Sequence, residues 1–153
     1  MRYSLDTSAI LDGWRRHYPV DTFPGLWDNL ASLINKGDLR ATEVVSDELK
    51  KQDDELLDWC VKQSSLFVSI DGPVQSKVAE ILSKHPNLVN AGKGRSGADP
   101  FVIALAEIHG ATVITGEVIT AKSKMPRIPD VCEERGVAWG NLLFLIKQEK
   151  WTF

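Results

Sequence analysis

The chain has 153 residues, 43% hydrophobic and 25% charged, which fits one soluble globular domain with a substantial core. No apolar run approaches the ~20 residues of a membrane span, and Asp6, Asp12, Arg15 and Arg16 interrupt any signal-peptide layout. The formal net charge of −3 argues against binding nucleic acid through overall charge. It leaves room for a nucleic-acid enzyme whose acidic site is offset by a divalent cation and a local basic patch.

In chain order, Tyr3 and Leu5 alternate with Arg2 and Ser4, a short first strand. At Asp6 the pattern breaks into Asp-Thr-Ser, residue types that favour turns and helix N-caps. A short helix over Thr7–Trp14 and a connection over Arg15–Pro24 follow. Pro24 suits the start of a helix to about Lys36, closed by Gly37. Asp38–Thr42 reads as a strand, and Glu43 begins a segment Glu-Val-Val-Ser-Asp-Glu-Leu-Lys-Lys. The acids Asp53 to Glu55 open another helix, with Leu56, Trp59 and Cys60 on its apolar face.

Leu66–Ile70 is a strand by composition, and Asp71-Gly72-Pro73 turns into a helix with Val74, Val78, Ile81 and Leu82 inward. His85–Gly97 is irregular and cationic, with Lys93 and Arg95 between glycines, a type of loop that often carries function. Ala98–His109 is a helix apolar around most of its circumference, stopped by Gly110. Ala111–Thr115 is a continuous apolar strand of the kind covered on both faces, and Gly116-Glu117 follows it. Val118–Pro129 is irregular and basic, with Lys122, Lys124 and Arg127. A helix over Asp130–Arg135, a last strand at Val137–Trp139 and a helix over Gly140–Lys150 complete the chain. Alternating strands and helices imply an α/β fold with parallel neighbours and helices on both faces.

Cys60 and Cys132 lack metal-ligand spacing and read as reduced core thiols of a cytoplasmic protein, a disulfide being the alternative. Trp14, Trp27, Trp59 and Trp139 fall mostly on apolar helical faces, so core packing accounts for them better than base stacking. Trp151 and Phe153 pack either on the domain or in a homodimer contact.

Four carboxylates occupy comparable places. Asp6 ends the first strand, Glu48 lies early in the helix after the second, Asp99 begins the buried helix, and Glu117 follows the apolar strand. In a parallel sheet these positions open onto one edge, where ligands of open α/β sheets bind. Clustered like charges repel and have raised pKa values without a cation, and carboxylate oxygens are preferred ligands of Mg²⁺ and Mn²⁺. The plainer roles are helix capping for Asp6 and Asp99 and a solvated helix charge for Glu48, with Glu43 and Asp47 as close competitors for its place.

These residues carry a resemblance. Ser4-Leu5-Asp6-Thr7-Ser8, Ser46-Asp47-Glu48-Leu49, Gly97-Ala98-Asp99-Pro100-Phe101-Val102-Ile103 and Val113-Ile114-Thr115-Gly116-Glu117, in this order, resemble the PIN domain family of metal-dependent ribonucleases. The likeness is strongest to PIN-like proteins close to the toxins of VapBC toxin–antitoxin systems, and it spans residues 1–153 as a single PIN-like domain. It implies a three-layer α/β/α fold with a central, mainly parallel sheet. It also implies a metal-dependent endoribonuclease that hydrolyses RNA phosphodiester bonds with Mg²⁺ or Mn²⁺, acting as the toxin of a pair with an antitoxin protein.

By position, Asp6, Glu48 and Asp99 match the family's three most regular acids and Glu117 the more variable fourth. The family more often has Asp there, so Glu117 reaches metal directly, through water, or not at all. Thr7, Ser8 and Thr115 lie where the family often has hydroxyls that hold site waters or carboxylates; Thr7 and Thr115 are expected near substrate. Lys93 and Arg95 are candidates for phosphate contacts, with Lys122, Lys124 and Arg127 as a second patch.

Two other readings compete. One is a non-catalytic PIN-like module that binds metal or a partner protein. The other is a phosphoryl-transfer α/β domain, for which Asp71 after a strand is suggestive. Asp6 lacks an adjacent second acid, and Ser8 stands where an Asp-x-Asp motif needs its second acid.

Overall fold

The computed structural model describes residues 1–63, 65–89, 97–120 and 124–153. Five strands form one sheet: β1 (Tyr3–Leu5), β2 (Leu39–Thr42), β3 (Phe67–Val68), β4 (Thr112–Ile114) and β5 (Trp139–Gly140). Their spatial order is β3-β2-β1-β4-β5 and every pairing is parallel. The helices are α1 (Thr7–Asp12), α2 (Pro24–Asn35), α3 (Glu43–Gln52), α4 (Asp54–Lys62), α5 (Gly72–Lys84), α6 (Asp99–His109), α7 (Ile128–Arg135) and α8 (Leu142–Gln148). They cover both faces, giving the expected three-layer α/β/α fold. None of the described helices is long and apolar enough to cross a membrane.

The central position of β1 decides where the site falls. Tyr3 is in register with Leu39 on one side and Thr112 on the other. The chain winds outward from β1 in one direction through β2 and β3, then returns to β1 and winds the other way through β4 and β5. The order therefore reverses between β1 and β4, and a crevice opens beyond their carboxyl ends. Being central, β1 is buried along its whole length. Ser4, which the alternating pattern places on a wetter face, is fully buried, and its hydroxyl donates to the Val102 carbonyl of α6 at 2.8 Å.

Helix α6 is the packing centre. Val102, Ile103, Ala104 and Ala106 are fully buried, so its near-continuous apolar circumference is used on all sides. It ends at Gly110, whose φ of 60° is left-handed, while the Ala111 N–H returns to the Ala106 carbonyl at 2.8 Å. On another part of the core, Trp27 lies edge-on to Trp14 and Trp59, with ring centroids 4.9 and 5.0 Å away. Cys60 and Cys132 are buried and free, and burial pushes both thiols up to about 12. The aromatic side chains and cysteines thus serve the core as expected, although Trp14 and Trp59 are only half-buried.

Several boundaries differ from the sequence expectation. The helix after Asp6 does not stop at Trp14. It widens into a π-helical turn over Gly13–His17, closed by the Tyr18 N–H on the Gly13 carbonyl at 2.8 Å. The strand expected over Leu66–Ile70 contracts to two residues at the sheet edge, where only β2 supports it. Helix α7 begins at Ile128, because Pro129 fits its first turn and the Asp130 carboxylate accepts from the Arg127 N–H at 2.8 Å. Asp71 is an N-cap: it accepts from the Val74 N–H at 2.9 Å, which removes the aspartyl-phosphate reading of that residue.

A Cβ added at Gly110 meets no atom within 4 Å, so a substitution there reports backbone conformation alone. Gly110→Ala is expected to cost about 1–2 kcal/mol, from forcing an L-residue into the left-handed region. Urea unfolding checks this: the midpoint falls while the slope is unchanged.

Candidate functional site

Asp6 stands at the N-cap position of α1, yet its side chain makes no capping bond. The capping role therefore fails for this residue. Its Oδ2 instead accepts hydrogen bonds from the Ser8 hydroxyl and, at 2.9 Å, from the Thr115 hydroxyl. The residue is 2% exposed. Burial pushes its carboxyl up to about 6, and the charges of Glu117 and Glu48 push the same way, while the Ser8 and Thr115 hydrogen bonds hold it down.

The switch point brings the other groups together. Thr115, directly after β4, is fully buried, and its hydroxyl also accepts from the Glu117 N–H at 3.1 Å. It thus holds the Asp6 carboxylate. The Ser8 hydroxyl accepts from the Gly116 N–H at 2.9 Å, so the first turn of α1 is stitched to the loop after β4. Gly116 has no room for a side chain: a Cβ would lie 2.6 Å from Asp12 Oδ2 and 3.3 Å from the Ser8 backbone.

Glu48 on α3 accepts from the Ala98 N–H at 3.1 Å, which ties it to the start of α6 beside Asp99. Asp99, 5% exposed, is the acid of the first turn of α6. Glu43 and Asp47 are exposed on α3, and Asp47 lies 3.8 Å from Lys50, so the structure turns Glu48 inward and leaves its competitors in solvent. Glu117 is half-buried, with its Oε2 3.5 Å from the Ile128 N–H.

The remaining sequence candidates divide. Thr7 is buried, and its hydroxyl has no hydrogen-bond partner among the described residues. Lys93, Arg95 and Lys122 lie outside the described residues. Lys124 and Arg127 are exposed. Asp12 was missed by sequence reasoning. It is six residues after Asp6 inside an ordinary helical stretch, and only the close approach of Gly116 puts it beside the centre.

The donor set is carboxylate and hydroxyl oxygen, which suits a small hard cation. Among the described residues, no three His, Cys, Asp or Glu side chains close into a metal-binding group. Mg²⁺ tolerates such an open arrangement because it keeps several waters and takes only one or two carboxylates.

The raised Asp6 pKa makes a stability prediction. A carboxyl that ionises near 3.8 unfolded and near 6 folded favours the native state below the first value, and this is lost as pH rises through the second. The loss amounts to roughly 3 kcal/mol. In Asp6→Asn the amide oxygen keeps both hydroxyl donors, so this pH dependence should vanish and stability at neutral pH should rise. Chemical unfolding of both proteins across that window checks it; parallel curves contradict it.

With the geometry in view, comparisons with known proteins place the chain. No curated protein matches its sequence. Among solved structures, it is similar to FitAcB from Neisseria gonorrhoeae, with 21% identity and a TM-score of 0.53. The alignment covers 92% of this chain and 97% of the other, so the likeness is one of fold across the whole length. By sequence, residues 3–153 match the family described as a domain of unknown function, DUF4411, and the chain belongs to that family.

Proposed function

We propose that this protein is a metal-dependent endoribonuclease of PIN type, in which Asp6, Glu48, Asp99 and Glu117 hold Mg²⁺ or Mn²⁺ at the switch point. One observation carries the reading. A carboxylate at the carboxyl end of the central strand is buried, declines its local capping role, and is held by two hydroxyls within the field of two further acids. Placing charge this way costs folding energy, a pattern typical of functional sites.

In the proposed reaction, the chain's own groups do the positioning. Ser8 and Thr115 fix the Asp6 carboxylate, and Thr115 also anchors the backbone at Glu117. The Ala98 N–H fixes Glu48 beside Asp99. When bound, a divalent cation would acidify a coordinated water and offset charge on the phosphoryl oxygens during in-line displacement. Lys124 and Arg127, and by sequence Lys93, Arg95 and Lys122, would meet the RNA backbone. The resemblance to VapBC toxins adds an antitoxin partner to the proposal, and a homodimer contact through Trp151 and Phe153 is the alternative to their packing on the domain.

The test is cleavage of a mixed single-stranded RNA pool with Mn²⁺, with Mg²⁺ and with chelator. Cutting should require metal and fall by at least about a hundredfold in Asp6→Asn and Asp99→Asn. Mn²⁺ should also raise the melting temperature of the wild type and not of Asp6→Asn. Neither cutting nor a Mn²⁺-dependent shift would remove the metal centre.

The open arrangement of the acids favours a second reading, a non-catalytic module that receives a basic side chain of a partner protein. Calorimetry separates the two, since only the nuclease reading requires Mn²⁺ binding that weakens in Asp99→Asn.

A further inference from the structure

A cleft of about 250 Å³ lies against the candidate centre, and nothing in the reading so far uses it. It is lined by Asp12, His17, Tyr18, Gly116, Asn141 and Leu143, among others. The π-helical turn over Gly13–His17 runs along it. Such turns occur frequently at functional sites, because the widened turn displaces the side chains that follow it. Gly116 belongs both to the cleft and to the hydrogen-bond chain through Ser8 to Asp6, so anything bound there adjoins the acids.

Asp12 is half-buried, and among the described residues it pairs with Arg16, 3.8 Å away with a side chain 74% exposed, a weak pairing that leaves the carboxylate able to accept. Arg15, Arg16 and His17 stand together at the end of the turn. Arg15 is engaged with Asp53 at 3.0 Å, whereas Arg16 and His17 face solvent. The His17 and Tyr18 rings meet edge to face, with centroids 6.2 Å apart. The lining of the cleft therefore combines a carboxylate, two aromatic rings and apolar Leu143, with the exposed Arg16 beside Asp12.

A phosphate would be repelled by the Asp12 carboxylate, and a basic protein side chain by Arg16 beside it. A nucleotide suits this mixture, with its phosphate toward Arg16, its base against the rings and N–H donors toward Asp12.

We propose that this cleft binds a nucleobase of the RNA next to the cleaved phosphodiester, and prefers a base that bears an exocyclic amine over uracil. The proposal rests on the ribonuclease reading and adds to it a specificity residue, Asp12. Guanine offers two adjacent N–H donors to a carboxylate, and adenine and cytosine offer their amines. Uracil presents one N–H between two carbonyl oxygens, which a carboxylate repels.

The experiment uses short fluorescent RNA oligonucleotides in which one position is varied among the four bases and an abasic site, scanned along the strand. Binding is read by anisotropy in chelator, and cleavage is read separately with Mn²⁺. At one position the abasic substitution should weaken binding about fivefold or more, the range of a lost stacking contact. Uracil there should be weaker than the amine-bearing bases. Asp12→Asn, whose amide both donates and accepts, should abolish that preference while binding persists. His17→Ala, at an exposed position that leaves the fold intact, should weaken base-dependent binding alone.

If abasic and intact RNA bind alike at every position, or the preference survives Asp12→Asn, the cleft is not a base site. Continued cutting in that case leaves the nuclease reading standing. Binding of N-acetyl-arginine amide that is lost in Asp12→Asn, with abasic and intact RNA bound alike, would assign the cleft to a protein side chain and overturn the proposal. Absence of both RNA binding and cutting overturns the proposal and its parent together.

Discussion

The candidate site depends on one interaction, the capture of a buried carboxylate by two hydroxyls. Asp6 has almost no contact with solvent, and Ser8 and Thr115 supply the polar surroundings that water would otherwise give. Without them the residue would be an uncompensated buried charge, among the costliest groups a fold can contain. With them it is still held above the ordinary carboxylate range, first because it is buried and then because Glu117 and Glu48 share its neighbourhood. The arrangement is thus charged and constrained.

The topology makes the capture possible. Asp6 follows β1 and Thr115 follows β4, and these strands are neighbours only because the sheet reverses its order there. The Asp6 N–H donates to the Ile114 carbonyl at 2.8 Å, which carries the strand pairing right up to the site. The Ser8–Gly116 bond then closes the ring from the helix side, and the absent side chain at Gly116 admits Asp12. Four residue types, each ordinary alone, become a site through register.

Much of this was legible in the sequence, for identifiable reasons. The parallel α/β class followed from alternating segments, and α6 and β4 from apolar runs too strong to be overridden. Asp6 could not be told from a cap, since an Asp-Thr-Ser sequence suits both roles and only the tertiary partner Thr115 decides. Glu48 could not be told from Asp47, one residue and about 100° of helix away. Its choice depends on the Ala98 N–H, contributed from far along the chain. The π-helical turn leaves no periodic signature over five residues, so the cleft beside it was invisible. The contraction of β3 and the early start of α7 reflect sheet position and a proline that a pattern of apolar residues does not weigh. The expected cationic loop around Lys93 and Arg95 falls outside the described residues.

The register of the central strand has a consequence for synthesis. Tyr3 and Leu5 are made before their partners Thr112 and Ile114, which come more than a hundred positions later. Pairings of such long range close slowly, because the loop entropy is spent before the contacts form. Asp6 therefore acquires its hydroxyl partner Thr115 only after β4 has been made and has docked. Topology alone thus delays assembly of the acid cluster until late in the making of the domain.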